Sequence, residues 1–296
     1  MRERLAENLL WFLERPSVTG AEQRLCDDLE ARVGRLPGWK AQRTGNNLAV
    51  RRAASDPSRP LILFAGHLDT VPEPEGGIPV RVEGERVYGR GASDMKAGDA
   101  VMLALIEELD WERSWAEPAF VFYEREEGPH EENGLEAVFE EMPWVLKAGL
   151  ALVLEPTAGA LEAGCAGTAQ VEVTFRGRAA HAARPWQGEN AISKAGRFLA
   201  ALHAREPEKV VVEGLDFYDV LTPTVARGGS AKNVVPASFW VNVNHRFAPG
   251  RGIEHVRSTF EALLGEEASF EIADFAPSGP VDLSNPLLRR FLATGI

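Results

Sequence analysis

An α/β fold, with a mixed, mostly parallel sheet and helices on both faces, interrupted by an inserted α+β domain with an antiparallel sheet, is what this sequence predicts. Three observations carry that reading. Four short runs are almost continuously apolar, as strands buried on both faces are. Helical periodicity fills the gap between two of them. After about Gly167 the pattern changes to strict alternation leading into helices.

Taken in order, "MRERLAENLLWFLERPS" reads as an amphipathic helix whose apolar run carries charges, unlike a signal peptide. The strand candidates are "NLAVRRA" at 47–53, "PLILFAGH" at 60–67, "AFVFYERE" at 119–126 and "ALVLEP" at 151–156, each rich in Val, Leu, Ile or Phe. "KAGDAVMLALIEELDW" at 96–111 supplies the helix between the second and third. Beyond it, "TAQVEVTFRGR" at 168–178 and "ASFWVNVNHRFAP" at 237–249 alternate in period two. They lead toward helices at 190–205 and 252–265, and "PSGPVDLSNP" at 277–286 is the return linker. The expected division is a metal-binding domain of residues 1–167 with 281–296, and a smaller domain of residues 168–280.

Composition narrows the function classes. The 296 residues are 45% hydrophobic, enough for a sizeable core, and no segment approaches the roughly 20 consecutive apolar residues of a membrane span. Thirty-two Lys and Arg against 44 Asp and Glu give a formal charge of −12, which argues against nucleic acid and membrane surfaces as partners. The two cysteines, Cys26 and Cys165, lack a redox or metal-binding context and are expected to be reduced, in a cytoplasmic protein.

Chemistry gathers where the expected strands end, the edge at which open α/β sheets collect ligands. There stand His67 with Asp69, Asp94 in "GRGASDMKAGD", Glu126 with Glu127, and Glu155 in "LVLEP". Imidazole and carboxylates without thiolates suit zinc, cobalt or manganese. Several carboxylates around one point repel unless cations neutralise them, which favours a paired site with one carboxylate bridging. Asp69, two residues past His67, can accept the other imidazole N–H and fix the tautomer. Neighbouring glutamates on an extended chain point apart, so one can ligate metal while the other takes a proton from the water that the metal acidifies. The chemistry expected is amide hydrolysis.

These motifs, with "EREEG…NGLE", "LEPTAG", "GRAAHAARPWQGENAI" and "KNVVPASFWVNVNHRFAP" in the same order, resemble the aminoacylase, acetylornithine deacetylase and succinyl-diaminopimelate desuccinylase family of metallopeptidases. "LEPTAGALEAGCAGT" and "HRFAPG" look most like its desuccinylases. The resemblance implies two divalent metals, zinc foremost: Asp94 bridges, His67 and Glu155 hold one, and Glu127 holds the other. It places Glu126 on the general acid/base and Asp69 on the orienting carboxylate, with a cis peptide between Asp94 and Met95. From the smaller domain it brings His181 over the substrate carbonyl, often from the partner subunit of a homodimer, and puts Asn233 and Arg246 on the substrate. A guanidinium at 246 can clamp a succinyl carboxylate through two hydrogen bonds. His130, His203, His245 and His255 carry no motif and are expected to be structural or solvated.

The implied activity is hydrolysis of N-succinyl-LL-2,6-diaminopimelate, a small-molecule N-acyl amino acid, in lysine and cell-wall precursor synthesis. The same ligands also suit an acetylornithine deacetylase, an aminoacylase or a dipeptidase. The second metal of such proteins takes a histidine near the C-terminus, whereas here "LLRRFLATGI" starts an amphipathic helix and stops. The expectation is therefore a truncated chain, and the reading from another class is an inactive binding or dimerisation module.

Overall fold

In the computed structural model, which describes residues 2–294, the chain divides into two compact units. One runs to Leu161 and resumes at Pro286; the other is Glu162–Asn285. The second unit reaches further than the change in periodicity at 167/168 and 280/281, because Cys165 and Gly279 pair in an antiparallel bridge that ties both crossing segments to it.

In chain order the first unit holds α1 (Arg2–Leu13), α2 (Gln23–Val33), β1 (Trp39–Thr44), β2 (Asn47–Arg52), β3 (Leu61–His67), the short hairpin β4 (Arg81–Glu83) and β5 (Arg86–Tyr88), α3 (Lys96–Glu108), β6 (Glu117–Tyr123), α4 (Gly134–Glu141) and β7 (Leu150–Val153). Its main sheet runs β1-β2-β6-β3-β7. The pairs β6/β3 and β3/β7 are parallel, and the two pairs on the β1 side are antiparallel.

Successive side chains on a strand leave opposite faces, and both faces here are covered. Leu48, Val50, Phe120 and Phe122 pack on one side with Phe12, Leu25, Leu29, Met102, Leu103 and Ile106 from α1, α2 and α3. Ala49, Leu63, Ala65, Ala119 and Val121 pack on the other with Val138, Met142 and Val145. That is why β6 reads as an unbroken apolar run. The helix expected over 96–111 ends at Glu108. Leu109 is extended, and Trp111 starts a separate 3-10 turn whose indole N–H donates to Leu105 O at 2.8 Å.

The second unit holds β8 (Gly167–Arg176), α5 (Ala191–Ala204), β9 (Glu208–Val212), β10 (Leu215–Gly228), β11 (Ser238–Phe247), α6 (Ile253–Leu264) and β12 (Ser269–Ala276). They form a five-stranded sheet ordered β12-β8-β11-β10-β9, antiparallel throughout, where alternation alone picked out two strands. Pro223 hid β10: it sits inside the strand, where the register with β11 shifts between Pro223 and Val225. Val171, Val173, Phe175, Val241, Val243 and Phe247 form the inner face, covered by Phe198 and Leu202 of α5 and by Val256 and Phe260 of α6. α7 (Pro286–Leu292) belongs to the first unit. Among the described residues, no helix is long and apolar enough to cross a membrane.

The cysteines differ in setting, and no disulfide joins them. Cys26 is fully buried beside Phe12 and Leu29, and burial pushes its thiol up to about 12; Cys165 is exposed. A maleimide at pH 8 is expected to label Cys165 promptly and Cys26 only after unfolding, read by mass spectrometry; prompt labelling of Cys26 would contradict this packing.

Candidate metal centre

The centre is assembled at the carboxyl end of the parallel strands. His67 is the last residue of β3 and is buried, with 1% exposure. Its Nδ1 lies 3.0 Å from the backbone oxygen of Asp69 and 3.4 Å from Asp69 Oδ1. Donation on that side makes Nε2 the nitrogen that a cation can take once its proton is displaced. Nε2 faces three carboxylates, Asp94 at 3.1 Å, Glu155 at 3.8 Å and Glu126 at 4.0 Å. The ligand atoms of His67, Asp94 and Glu155 all lie within 4.8 Å of one another.

Asp69 organises more than the imidazole. Fully buried, it accepts the backbone N–H of Glu126 on Oδ1 at 3.0 Å, and on Oδ2 the N–H of Glu127 at 3.1 Å and the Thr19 hydroxyl at 2.9 Å. Burial alone would raise its carboxyl, but the hydrogen bonds from His67, Glu126 and Thr19 outweigh that and hold it below the usual range.

The two glutamates do not continue β6, which ends at Tyr123. They sit on a turn, because Arg125 adopts φ 61°, a left-handed conformation that costs about 1–2 kcal/mol for a side chain of this kind. The turn lets two consecutive N–H groups reach one carboxylate. It replaces the extended geometry expected for 119–126.

Asp94 is presented by the loop before α3, and the Asp94–Met95 peptide bond is cis. Met95 Sδ accepts the His67 N–H at 3.2 Å. Two glycines let α3 come this close. A Cβ on Gly66 would lie 2.5 Å from the Met95 methyl and 2.7 Å from Asp99 Oδ1, and one on Gly98 would collide with Leu154 O. Asp99 is fully buried, neither of its oxygens has a hydrogen-bond partner, and burial drives its carboxyl well above the ordinary range.

This donor set fits a divalent cation. Burial, reinforced by the charges of Asp94, Glu126 and Glu127, pushes Glu155 up to about 7 against the pull of His67. Burial and the charge of Asp94 likewise raise Glu127, which lies outside the compact group of three. Carboxylates that repel one another around one imidazole nitrogen are what a cation relieves. Sequence spacing pointed to His67, Asp94 and Glu155; it missed Thr19 and Asp99, since nothing around a threonine in a loop or an aspartate in a helix marks them.

The remaining expected site residues belong to the second unit. His181 is exposed and bridges to Val234, its Nδ1 accepting the Ala183 N–H at 3.1 Å. Asn233 O accepts the Ala182 N–H at 2.8 Å, so the His181 and Asn233 segments lie side by side. Arg246 is an exposed residue of β11, opposite Val220 and Thr168.

Comparison with known proteins places this geometry. A family model described as a peptidase dimerisation domain matches residues 164–270. A Mycobacterium tuberculosis protein is 38% identical over 290 residues, covering 95% of this chain and 78% of its own length. The succinyl-diaminopimelate desuccinylase of Corynebacterium glutamicum is 38% identical over 253 residues, covering 83% of this chain and 68% of its own. The chain belongs to the M20 family of metallopeptidases. An M20 metallo-carboxypeptidase from Sulfolobus solfataricus shares the fold, with a TM-score of 0.74 over 98% of this chain and 82% of its own at 17% identity. As an M20 protein the chain is a metal-dependent amide hydrolase, and among the described residues of its first unit the His67 group is where donors for a metal converge.

Metal uptake by this M20 hydrolase should be coupled to protons. Burial opposes a charge on His67, yet Asp69, Asp99 and Glu155 raise it to about 10, while Glu155 stands at about 7. Both values lie above the ordinary ones, so both groups hold protons that an incoming cation must displace, and affinity rises with pH through these two values. Calorimetry of zinc binding at pH 7.5, in buffers of different ionisation enthalpy, is expected to show release of about one proton or slightly more. Binding without proton release would contradict the site described.

Proposed function

We propose that this hydrolase cleaves the amide of N-succinyl-LL-2,6-diaminopimelate, giving succinate and LL-2,6-diaminopimelate, as a cytoplasmic homodimer. The observation that carries the chemistry is the convergence of Asp94, Glu155 and Glu126 on the Nε2 of His67, at 3.1, 3.8 and 4.0 Å. The succinyl group is favoured by the 38% identity to the Corynebacterium glutamicum desuccinylase and by Arg246. The family model for a dimerisation domain supports the homodimer, assembled through the second unit.

His67, Asp94 and Glu155 would hold one divalent ion and Glu127 would contribute to a second, zinc being the first choice and cobalt or manganese alternatives. Such ions supply Lewis-acid polarisation of the scissile carbonyl and acidify the attacking water. Glu126 takes a proton from that water and returns it to the nitrogen as the C–N bond breaks, so a free amine leaves and the acyl carbon gains a carboxylate oxygen. Asp69 holds both the His67 ring and the turn that carries Glu126, which fixes the distance between base and reacting centre. His181 is assigned to the oxyanion that develops on the carbonyl, and Asn233 to substrate binding. Arg246 is assigned to the free carboxylate of the succinyl group.

Two variants test these assignments. Glu126→Gln preserves shape but cannot accept a proton, so turnover should fall about 10²–10⁴-fold with bound metal unchanged. Loss of metal would instead make Glu126 a ligand. Arg246→Ala should lower kcat/KM for the N-succinyl substrate about 10²-fold and that for an N-acetyl substrate less than about threefold, since only the first presents a second carboxylate. Equal losses would remove succinyl specificity from the proposal.

A further inference from the structure

The second unit contains another convergence of ligand-type side chains. Along β11 the alternation that turns Val241, Val243 and Phe247 inward also turns His245 inward, to 1% exposure. Neither ring nitrogen of His245 has a hydrogen-bond partner. An imidazole buried in this way pays for the water it has lost, and such a group calls for an ion or a water.

The ring is not isolated from polar company. His255, on α6, places its ring 5.6 Å from that of His245 and tilted by 45° to it, and its Nε2 lies 3.0 Å from Asp219 Oδ2. Asp219, on β10, is 1% exposed, and its Oδ1 accepts the Ala248 N–H at 2.7 Å. One ligand atom from each of Asp219, His245 and His255 lies within 4.8 Å of the others. The sequence carried no motif around either histidine, because the three residues come from two strands and a helix and only the fold brings them together.

We infer that Asp219, His245 and His255 form a transition-metal site in the second unit, additional to the His67 group. Two imidazoles and one carboxylate are a donor set for zinc or cobalt, whereas magnesium and calcium prefer oxygen alone. Ligand atoms around tetrahedral zinc lie about 3.3 Å apart, close to the 3.0 Å already found between His255 Nε2 and Asp219 Oδ2, so the closing movement is between His245 and that pair. Asp219 is fixed by the Ala248 N–H, the kind of outer hydrogen bond that holds ligating carboxylates in place. Arg251 is the competitor: it pairs with Asp219 Oδ2 and also donates to Glu208 at 2.6 Å, so it keeps a partner when a cation takes a share of Asp219. Burial above all pushes His245 down to about 4, so the ring is neutral at physiological pH, the form that ligates. An ion here would tie β10, β11 and α6 together on the strand that carries Arg246, a structural role rather than a catalytic one.

The test uses the full chain. In a His67→Ala, Asp94→Asn background, stripped with chelator and titrated with zinc against a colorimetric chelator, one ion per chain is expected to remain bound. Adding His255→Gln, at a half-buried helix position, should weaken that binding at least about tenfold. In the unsubstituted chain, zinc should also move the imidazole nitrogen resonances of His245 and His255, a readout that does not depend on any variant folding. Equal zinc binding with and without His255→Gln, or a His245 resonance that zinc leaves in place, would overturn the inference.

Discussion

A fully buried carboxylate is the constraint on which the first unit depends. Asp69 has no exposure to water, and a charge in such a place persists only if donors surround it. Those donors come from three separate stretches: the His67 ring at the end of β3, the Thr19 hydroxyl from the loop after α1, and consecutive N–H groups from the turn after β6. Hydrogen bonds to a charged group contribute about 1.5–3 kcal/mol each, so satisfying Asp69 also pins the turn that carries Glu126 and Glu127. The left-handed Arg125 is the local cost of that arrangement, small beside the bonds it permits.

The second constraint is the closeness of α3 to the sheet. Gly66 on β3 leaves space for the Met95 methyl and Asp99, Gly98 on α3 leaves space for Leu154 O, and Asp94 arrives beside His67 because the Met95 side chain that follows it is seated on β3 through the His67 N–H. Lys96 extends the same anchorage backward. It is buried, and its ammonium donates to Phe12 O at 3.2 Å and Arg15 O at 2.8 Å, carbonyls at and beyond the end of α1. Burial pulls Lys96 down to about 8 even though Asp99 opposes the shift. One stretch, Asp94 to Asp99, therefore joins a ligand, the helix that supports it, and the first helix of the chain.

Much of this was legible in the sequence, for a physical reason in each case. The runs 60–67 and 119–126 showed themselves because strands covered on both faces need apolar residues at every position, and His67 stood out as the polar residue that ends one of them. β10 did not show itself, since a proline and a register shift break the alternation that marks a strand. Glu126 and Glu127 were visible as a pair, but the turn that aims them was not, because an arginine at positive φ leaves no trace in composition. Thr19 and Asp99 escaped for the same kind of reason: they act through partners about 50 and 30 residues distant in the chain, which only folding supplies.

The electrostatics of the first unit show how so many carboxylates share one region. Asp69, Asp99, Glu126, Glu127 and Glu155 crowd one region of a chain with a formal charge of −12, and crowding of that kind opposes folding. The protein answers with protons. Asp99 and Glu155 have raised values, and His67 holds its proton up to about 10, so the imidazolium balances the carboxylate of Asp69 that it touches. The charges that favour a proton on His67 are the charges that favour a cation beside it, so exchanging one for the other leaves the surrounding hydrogen bonds of Asp69 in place. The buried carboxylate and its donors thus set the scaffold on which the ligands stand.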